Sequence, residues 1–209
     1  KECYDLSKLD TSEITDMSQL FQFSEFNGDI SNWNVSNVTN MHRMFLGASN
    51  FNQALNNWDV SNVTNMGGMF YLAIEFNQTL NNWDVSSVTN MSGIFAGAYN
   101  FNQALNDWDV SKVTNMNWLF AYAKEFNQTL NNWDVSNVKD MTYMFSDARA
   151  FEKRFNDENP LPKETNELKV WFNSDRMLAI DIKEREKDNL DSFYNNLESL
   201  YNNLDKENN

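Results

Sequence analysis

Cysteine is nearly missing from this chain of 209 residues: Cys3 stands alone, so no intrachain disulfide can form and no Cys-x-x-Cys or Cys/His metal cluster can be assembled. Proline occurs only at 160 and 162, and the 6 glycines never cluster into a phosphate-cradling loop. No GxSxG, Walker A, HExxH or dinucleotide fingerprint is present. Basic residues are scarce, 16 Lys and Arg against 30 Asp and Glu for a net charge of -14, and every part of the chain is acidic. Neutralising phosphates needs clustered Lys and Arg, so neither nucleic acid nor an anionic membrane surface is expected as a partner. No apolar run reaches the ~18 residues that span a bilayer. The opening KECYDLSKLD has no charged n-region and no apolar h-region, so no signal peptide is expected in this stretch. His42, the sole histidine, has no nucleophile at fixed phase and reads as a solvated side chain.

What the chain has is a period. Trp33, Trp58, Trp83, Trp108 and Trp133 recur at one unvarying interval, and Met41, Met66, Met91, Met116 and Met141 keep the same interval, as do Phe26, Phe51, Phe76, Phe101, Phe126 and Phe151. An earlier partial phrase, LDTSEITDMSQLF, aligns Met17 with Met41 at a spacing one position shorter. A second layer of order, NQAL then NQTL twice over between residues 52 and 130, suggests a duplicated pair of units. A unit this small cannot bury its own hydrophobic face, so like units must stack to make a core.

Within a unit, Val63, Met66, Met69, Phe70 and Ala73 follow three-and-four spacing, which predicts a short helix with one buried face, N-capped by Ser61 or Asn62. Trp58 and Val60, two apart, predict one face of a short strand, with Asp59 pointing away. Each coil therefore reads as strand, turn, helix and return loop, the strands pairing in parallel at about 4.8 Å between coils. The expected fold is an α/β solenoid, a leucine-rich-repeat-like stack of strand–turn–helix coils with a parallel sheet. The recurring Asn52, Asn77, Asn102 and Asn127, with Asn65, Asn90 and Asn115, fall where a side-chain amide can satisfy turn groups and the next coil.

The phrase W-D-V-S-x-V-T-N-M-x-x-M-F followed by A-x-x-F-N-Q resembles the repeats of the BspA-like leucine-rich-repeat surface proteins of bacteria, over residues 9 to about 156. The resemblance implies a solenoid displayed at the cell surface or secreted, and adhesion to a protein or glycan partner, host-derived or bacterial. That family carries no known catalytic residues, so neither an enzyme nor a cofactor is implied.

After Phe151 the phrase dissolves into EKRFNDENPLP. The chain reads as a partial repeat or cap over 1–25, a repeat solenoid over 26–156, a cap-like helix plus strand over 157–182, and an amphipathic helical tail over 183–209. In that tail Leu190, Phe193, Leu197, Leu200 and Leu204 step by 3, 4, 3 and 4. It packs on the last coil, pairs two chains as a homodimer through 190–204, or remains a linker.

Two sets of residues stand out as candidate sites. Asp59, Asp84, Asp109 and Asp134 form a column of like charges, which reads as turn capping, with calcium binding as the alternative. The positions that differ between repeats lie on the predicted outward helix face and in the loops. Among them Trp118, Tyr122 and Tyr143 fall together on adjacent coils, with Tyr71 and Tyr99 at other variable positions. An exposed aromatic group suits a protein or sugar contact. The expected function is a non-catalytic, adhesin-like interaction module, the alternative a structural spacer or self-assembly element without external ligand.

Overall fold

The computed structural model describes residues 6–130 and 132–153. The chain divides into two compact units, Lys1–Trp171 and Phe172–Asn209, and all described residues belong to the first. The expected cap-like segment at 157–182 and the helical tail at 183–209 lie outside the described residues.

Successive 25-residue phrases lie one on another and are joined by a parallel backbone bridge at Asp16–Asn40, Asn40–Asn65, Asn65–Asn90, Asn90–Asn115 and Asn115–Asp140. Among the described residues the pairing thus centres on the asparagine column rather than on Trp58–Val60. The only helical elements described are a 3-10 turn, Leu6–Lys8, and α1, Arg149–Lys153.

Where three-and-four spacing predicts a helix over 63–73, the chain instead makes a run of tight turns. The N–H groups of Met69, Tyr71 and Ala73 donate to the carbonyls three residues back, at 3.0–3.1 Å. Those of Met66, Gly68, Phe70 and Leu72 leave the coil altogether, donating to Asn90, Ser92, Ile94 and Ala96 of the next coil at 2.7–3.0 Å. An α-helix would spend every one of these donors inside its own segment, and one so short is marginal in water. Alternating the donors lets each coil close its turns and still bond its neighbour. The predicted cap is likewise replaced: the N–H of Ser61 donates to Asp59 Oδ1.

The turns keep the inward set intact. Met66, Met69, Phe70 and Ala73 are fully buried, as are Val63, Phe76 and Leu80. Two phenylalanine ladders run through the core. Phe45, Phe70, Phe95 and Phe120 stack at 5.5–5.8 Å between centroids, and Phe51, Phe76, Phe101 and Phe126 at 6.0–6.2 Å. Within a coil the two ladders touch, as at Phe70–Phe76, 3.9 Å. Burying one such ring contributes roughly 1.5–3 kcal/mol.

The tryptophan column adds a polar clamp. The indole N–H of Trp58, Trp83, Trp108 and Trp133 reaches back to the carbonyl of Ile30, Leu55, Leu80 and Leu105 at 2.8–3.1 Å. Each of these carbonyls also accepts a backbone N–H three residues on, as Leu80 does from Trp83 at 3.1 Å. One lone pair serves each coil.

The turn geometry demands two left-handed residues per coil. One column is Gln19, Arg43, Gly68, Gly93, Trp118 and Tyr143, the other Phe23, Gly47, Leu72, Gly97, Tyr122 and Asp147, with φ between 54° and 69° throughout. In the second column a large residue alternates with glycine up to Tyr122. A Cβ on Gly47 would lie 2.4 Å from Phe23 Cδ1, and one on Gly97 2.5 Å from Leu72 Cδ2. Each large side chain therefore lies over the glycine of the following coil. The pairing of NQAL and NQTL units has here a packing counterpart with a two-coil period.

Deleting both coils of 51–100 keeps this alternation, whereas deleting 76–100 alone sets Tyr122 beneath Leu72. We expect the shorter array to melt at the higher temperature, in a thermal scan followed by circular dichroism; the opposite order would refute the two-coil register. Trp108→Phe, which removes one indole bond while Leu80 keeps its other donor, is expected to cost about 1 kcal/mol in urea unfolding.

Candidate functional site

The variable columns take their meaning from the turns that carry them. On a helix, positions 46, 71, 96, 121 and 146 and their neighbours would all point outward. In the stack Leu46, Leu72, Ala96, Ala121 and Tyr122 are buried. Tyr122, expected to be exposed, is 1% accessible, because its backbone turns inward at a left-handed position. It touches Trp118 from within, at 6.4 Å between ring centroids. His42, expected to be solvated, is half-buried, because Gly67 of the next coil leaves room for its ring.

Trp118 and Tyr143, from successive coils, stay half-buried and pack against each other at 4.8 Å with a 44° tilt. Tyr71 joins them through Gly93. A Cβ there would meet Tyr71 Cδ2 at 3.5 Å and Trp118 Cβ at 4.0 Å, so a bare backbone floor separates the two aromatic side chains. Burial pushes the Tyr71 hydroxyl up to about 12, against an opposing pull from Arg43. It is therefore a neutral hydrogen-bonding group at any physiological pH. Tyr99 sits on the return loop with Lys124 Nζ 3.9 Å over its ring. In an acidic chain this face thus combines Tyr71, Trp118 and Tyr143 with the cations Arg43 and Lys124. Sequence comparison between repeats marks these positions as variable; that two of them, 118 and 143, are left-handed is invisible there, although glycine at 68 and 93 is the available signal.

The aspartate column lies elsewhere on the coil. Asp59, Asp84, Asp109 and Asp134 are exposed, and each Oδ1 accepts the N–H of the serine two residues on at 3.0–3.1 Å. Asn34 does the same for Ser36 at 3.1 Å with an amide oxygen, so the turn needs an acceptor there and not a charge. The hydroxyl and N–H of Ser86 and of Ser111 hold the carboxyls of Asp84 and Asp109 below the ordinary range; at Asp134 the N–H of Ser136 leads. Beside Asp59 and Asp84 a shallow groove of ≈ 370 Å³ is lined by Asn56, Asn57, Trp58, Val60 and Asn82. Among the described residues no three His, Cys, Asp or Glu side chains gather as metal ligands. No helix among the described residues is long and apolar enough to cross a membrane.

The asparagines carry a further set of inter-coil polar bonds. Oδ1 of Asn27, Asn52, Asn77 and Asn102 each accepts the backbone N–H of the matching asparagine in the next coil, at 2.9–3.0 Å. The adjoining glutamine, Gln53 through Gln128, donates its Nε2 to the same oxygen at 2.8–2.9 Å.

Coils joined in this way, each completed only by its neighbours, define a repeat protein. The chain belongs to the family described as Mycoplasma protein of unknown function, DUF285, whose model matches residues 1–89 and again residues 75–185. Two overlapping matches along one chain agree with its repeated construction. No curated protein matches the chain.

A carboxyl whose folded pKa is depressed adds stability that is present above its unfolded pKa and lost as pH falls through the folded one. The melting temperature is therefore expected to fall below about pH 4. The triple variant Asp84→Asn, Asp109→Asn, Asp134→Asn should melt like the parent at neutral pH and lose less in acid. A neutral-pH loss in that variant, or a rise in parent melting temperature on adding calcium, would show that the column does more than cap turns.

Proposed function

We propose that the chain is a non-catalytic interaction module of a bacterial surface or secreted protein, a BspA-like, leucine-rich-repeat-class solenoid that presents variable side chains on a fixed scaffold. Its partner is a protein or glycan, and its contact face is the line Tyr71, Trp118 and Tyr143, with Tyr99 and Lys124 beside it. One observation carries this reading. Trp118 and Tyr143 occupy left-handed backbone positions where Gly68 and Gly93 stand in other coils. A side chain there costs on the order of 1–2 kcal/mol. Strain of this kind, kept where glycine is accommodated elsewhere in the same column, favours a role for the side chain beyond holding the coil. Half-buried aromatic rings bring large contact area at low entropic cost.

The alternative is a structural spacer or assembly element without external ligand. It has in its favour the uniform asparagine bonding from coil to coil, from Asn27 through Asn102, which serves the stack and no outside group.

The two readings separate on a Trp118→Gly, Tyr143→Gly variant, screened beside the parent against matrix proteins and a glycan array. The module reading expects a partner bound by the parent and lost by the variant. The variant's melt should stay close to the parent's, because relief of backbone strain offsets the lost ring contact. A partner bound equally by both proteins would remove the aromatic face from consideration.

A further inference from the structure

The sequence contains a single Asn-Gly pair, Asn27-Gly28. In the later phrases the same place reads Asn52-Gln53, Asn77-Gln78 and Asn102-Gln103. Glycine leaves its own backbone nitrogen open, because no Cβ screens it from the side-chain amide carbon of the asparagine just before it. Packing explains why glycine stands there. A Cβ on Gly28 would lie 2.7 Å from Phe26 Cε2, so the space is used by the Phe26 ring, itself stacked on Phe21 at 4.4 Å.

The next coil adds a second element. Asn27 is exposed, yet its Oδ1 is held by two donors, the Asn52 N–H at 3.0 Å and Gln53 Nε2 at 2.9 Å. Two N–H groups on one carbonyl oxygen stabilise the negative charge that this oxygen gains when a nucleophile adds to its carbon, as in an oxyanion hole. Among the described residues, neither Asn27 Nδ2 nor the Gly28 N–H donates to a partner, so the leaving group and the nucleophile are both unengaged. Asn52, Asn77 and Asn102 carry the same pair of donors at 2.8–3.0 Å but precede glutamine. They offer the same activated carbon without the open nitrogen.

We propose that Asn27 is a self-modification site, at which the folded chain deamidates with water and hydroxide as the only co-reactants. Hydroxide takes the Gly28 amide proton, and the nitrogen forms a bond to Asn27 Cγ. The Cγ–Nδ2 bond breaks, and the side-chain nitrogen leaves as ammonia with a proton from water, which returns the hydroxide. The result is a succinimide ring. Water then adds to one of its two carbonyls and opens it, leaving an aspartyl residue or, where the main chain now runs through the side-chain carbon, an isoaspartyl one. Either product adds a negative charge to a chain already at -14. The aspartyl form keeps an acceptor for Asn52 and Gln53. The isoaspartyl form lengthens the main chain ahead of Ile30, whose carbonyl holds the Trp58 indole at 3.1 Å, and so loosens the joint between coils. The site is independent of the aromatic face.

Peptide mass mapping of the full folded chain, incubated at mildly alkaline pH with separate detection of isoaspartate, tests the site. Position 27 should convert ahead of Asn52, Asn77 and Asn102, at a rate that rises with pH. Gly28→Gln, which writes the phrase of the other coils into this one, should bring position 27 down to their rate. Gln53→Leu removes one of the two donors and leaves the Asn-Gly pair intact. It should slow the folded chain roughly tenfold, less than the loss in a water-excluded oxyanion hole because Asn27 is exposed. In urea, where the stack is gone, Gln53→Leu and the parent should react alike. A parent in which Asn27 converts no faster than Asn52 overturns the proposal, and so does a folded Gln53→Leu variant that reacts like the parent. If Gly28→Gln fails to melt cooperatively, because its Cβ meets the Phe26 ring, the parent and Gln53→Leu still decide the matter.

Discussion

Every second N–H along the turn segment of a coil is committed to the neighbouring coil. A buried backbone donor must find an acceptor, and for Met66, Gly68, Phe70 and Leu72 that acceptor is supplied by the coil that follows. The rest of the structure depends on this. Because the donors alternate, the intervening groups can close turns, and because they close turns, residues such as Gly68 and Leu72 are driven to positive φ. No coil is complete without the next, in hydrogen bonds as in apolar burial.

The same constraint sets a conflict between scaffold and surface. Left-handed positions suit glycine, yet Arg43, Trp118, Tyr122 and Tyr143 stand there. In the second column the conflict is resolved by packing: Leu72 lies over Gly97 and Phe23 over Gly47, so large and small residues share one volume between two coils. In the first column the rings of Trp118 and Tyr143 remain half-buried, and no such sharing explains them. Columns that look equally variable in sequence thus divide into one shaped by the interior and one that is not.

The polar residues follow a common logic of double use. A leucine or isoleucine carbonyl serves a backbone N–H in its own coil and an indole in the next; an asparagine Oδ1 serves an amide and a glutamine of the next coil. Tryptophan rather than phenylalanine at 58, 83, 108 and 133 is explained by that indole bond, and asparagine at 27, 52, 77 and 102 by its acceptor. Asp59 and its column belong to the local class, each closing a turn two residues long, and Asn34 shows that charge is incidental there.

The sequence by itself determined the period, the inward residues and the need for stacking, because those are properties of spacing and hydrophobicity that one chain displays openly. It also located the aromatic group at 118 and 143, though not the burial of Tyr122. Only the tertiary structure decided between helix and turns. Both place Met66, Met69, Phe70 and Ala73 on one side, and they differ in where the backbone N–H groups go, which is settled by the adjoining coil. A non-local bond leaves no local signature, and so the strained positions and the two-coil packing came into view only with the stack itself.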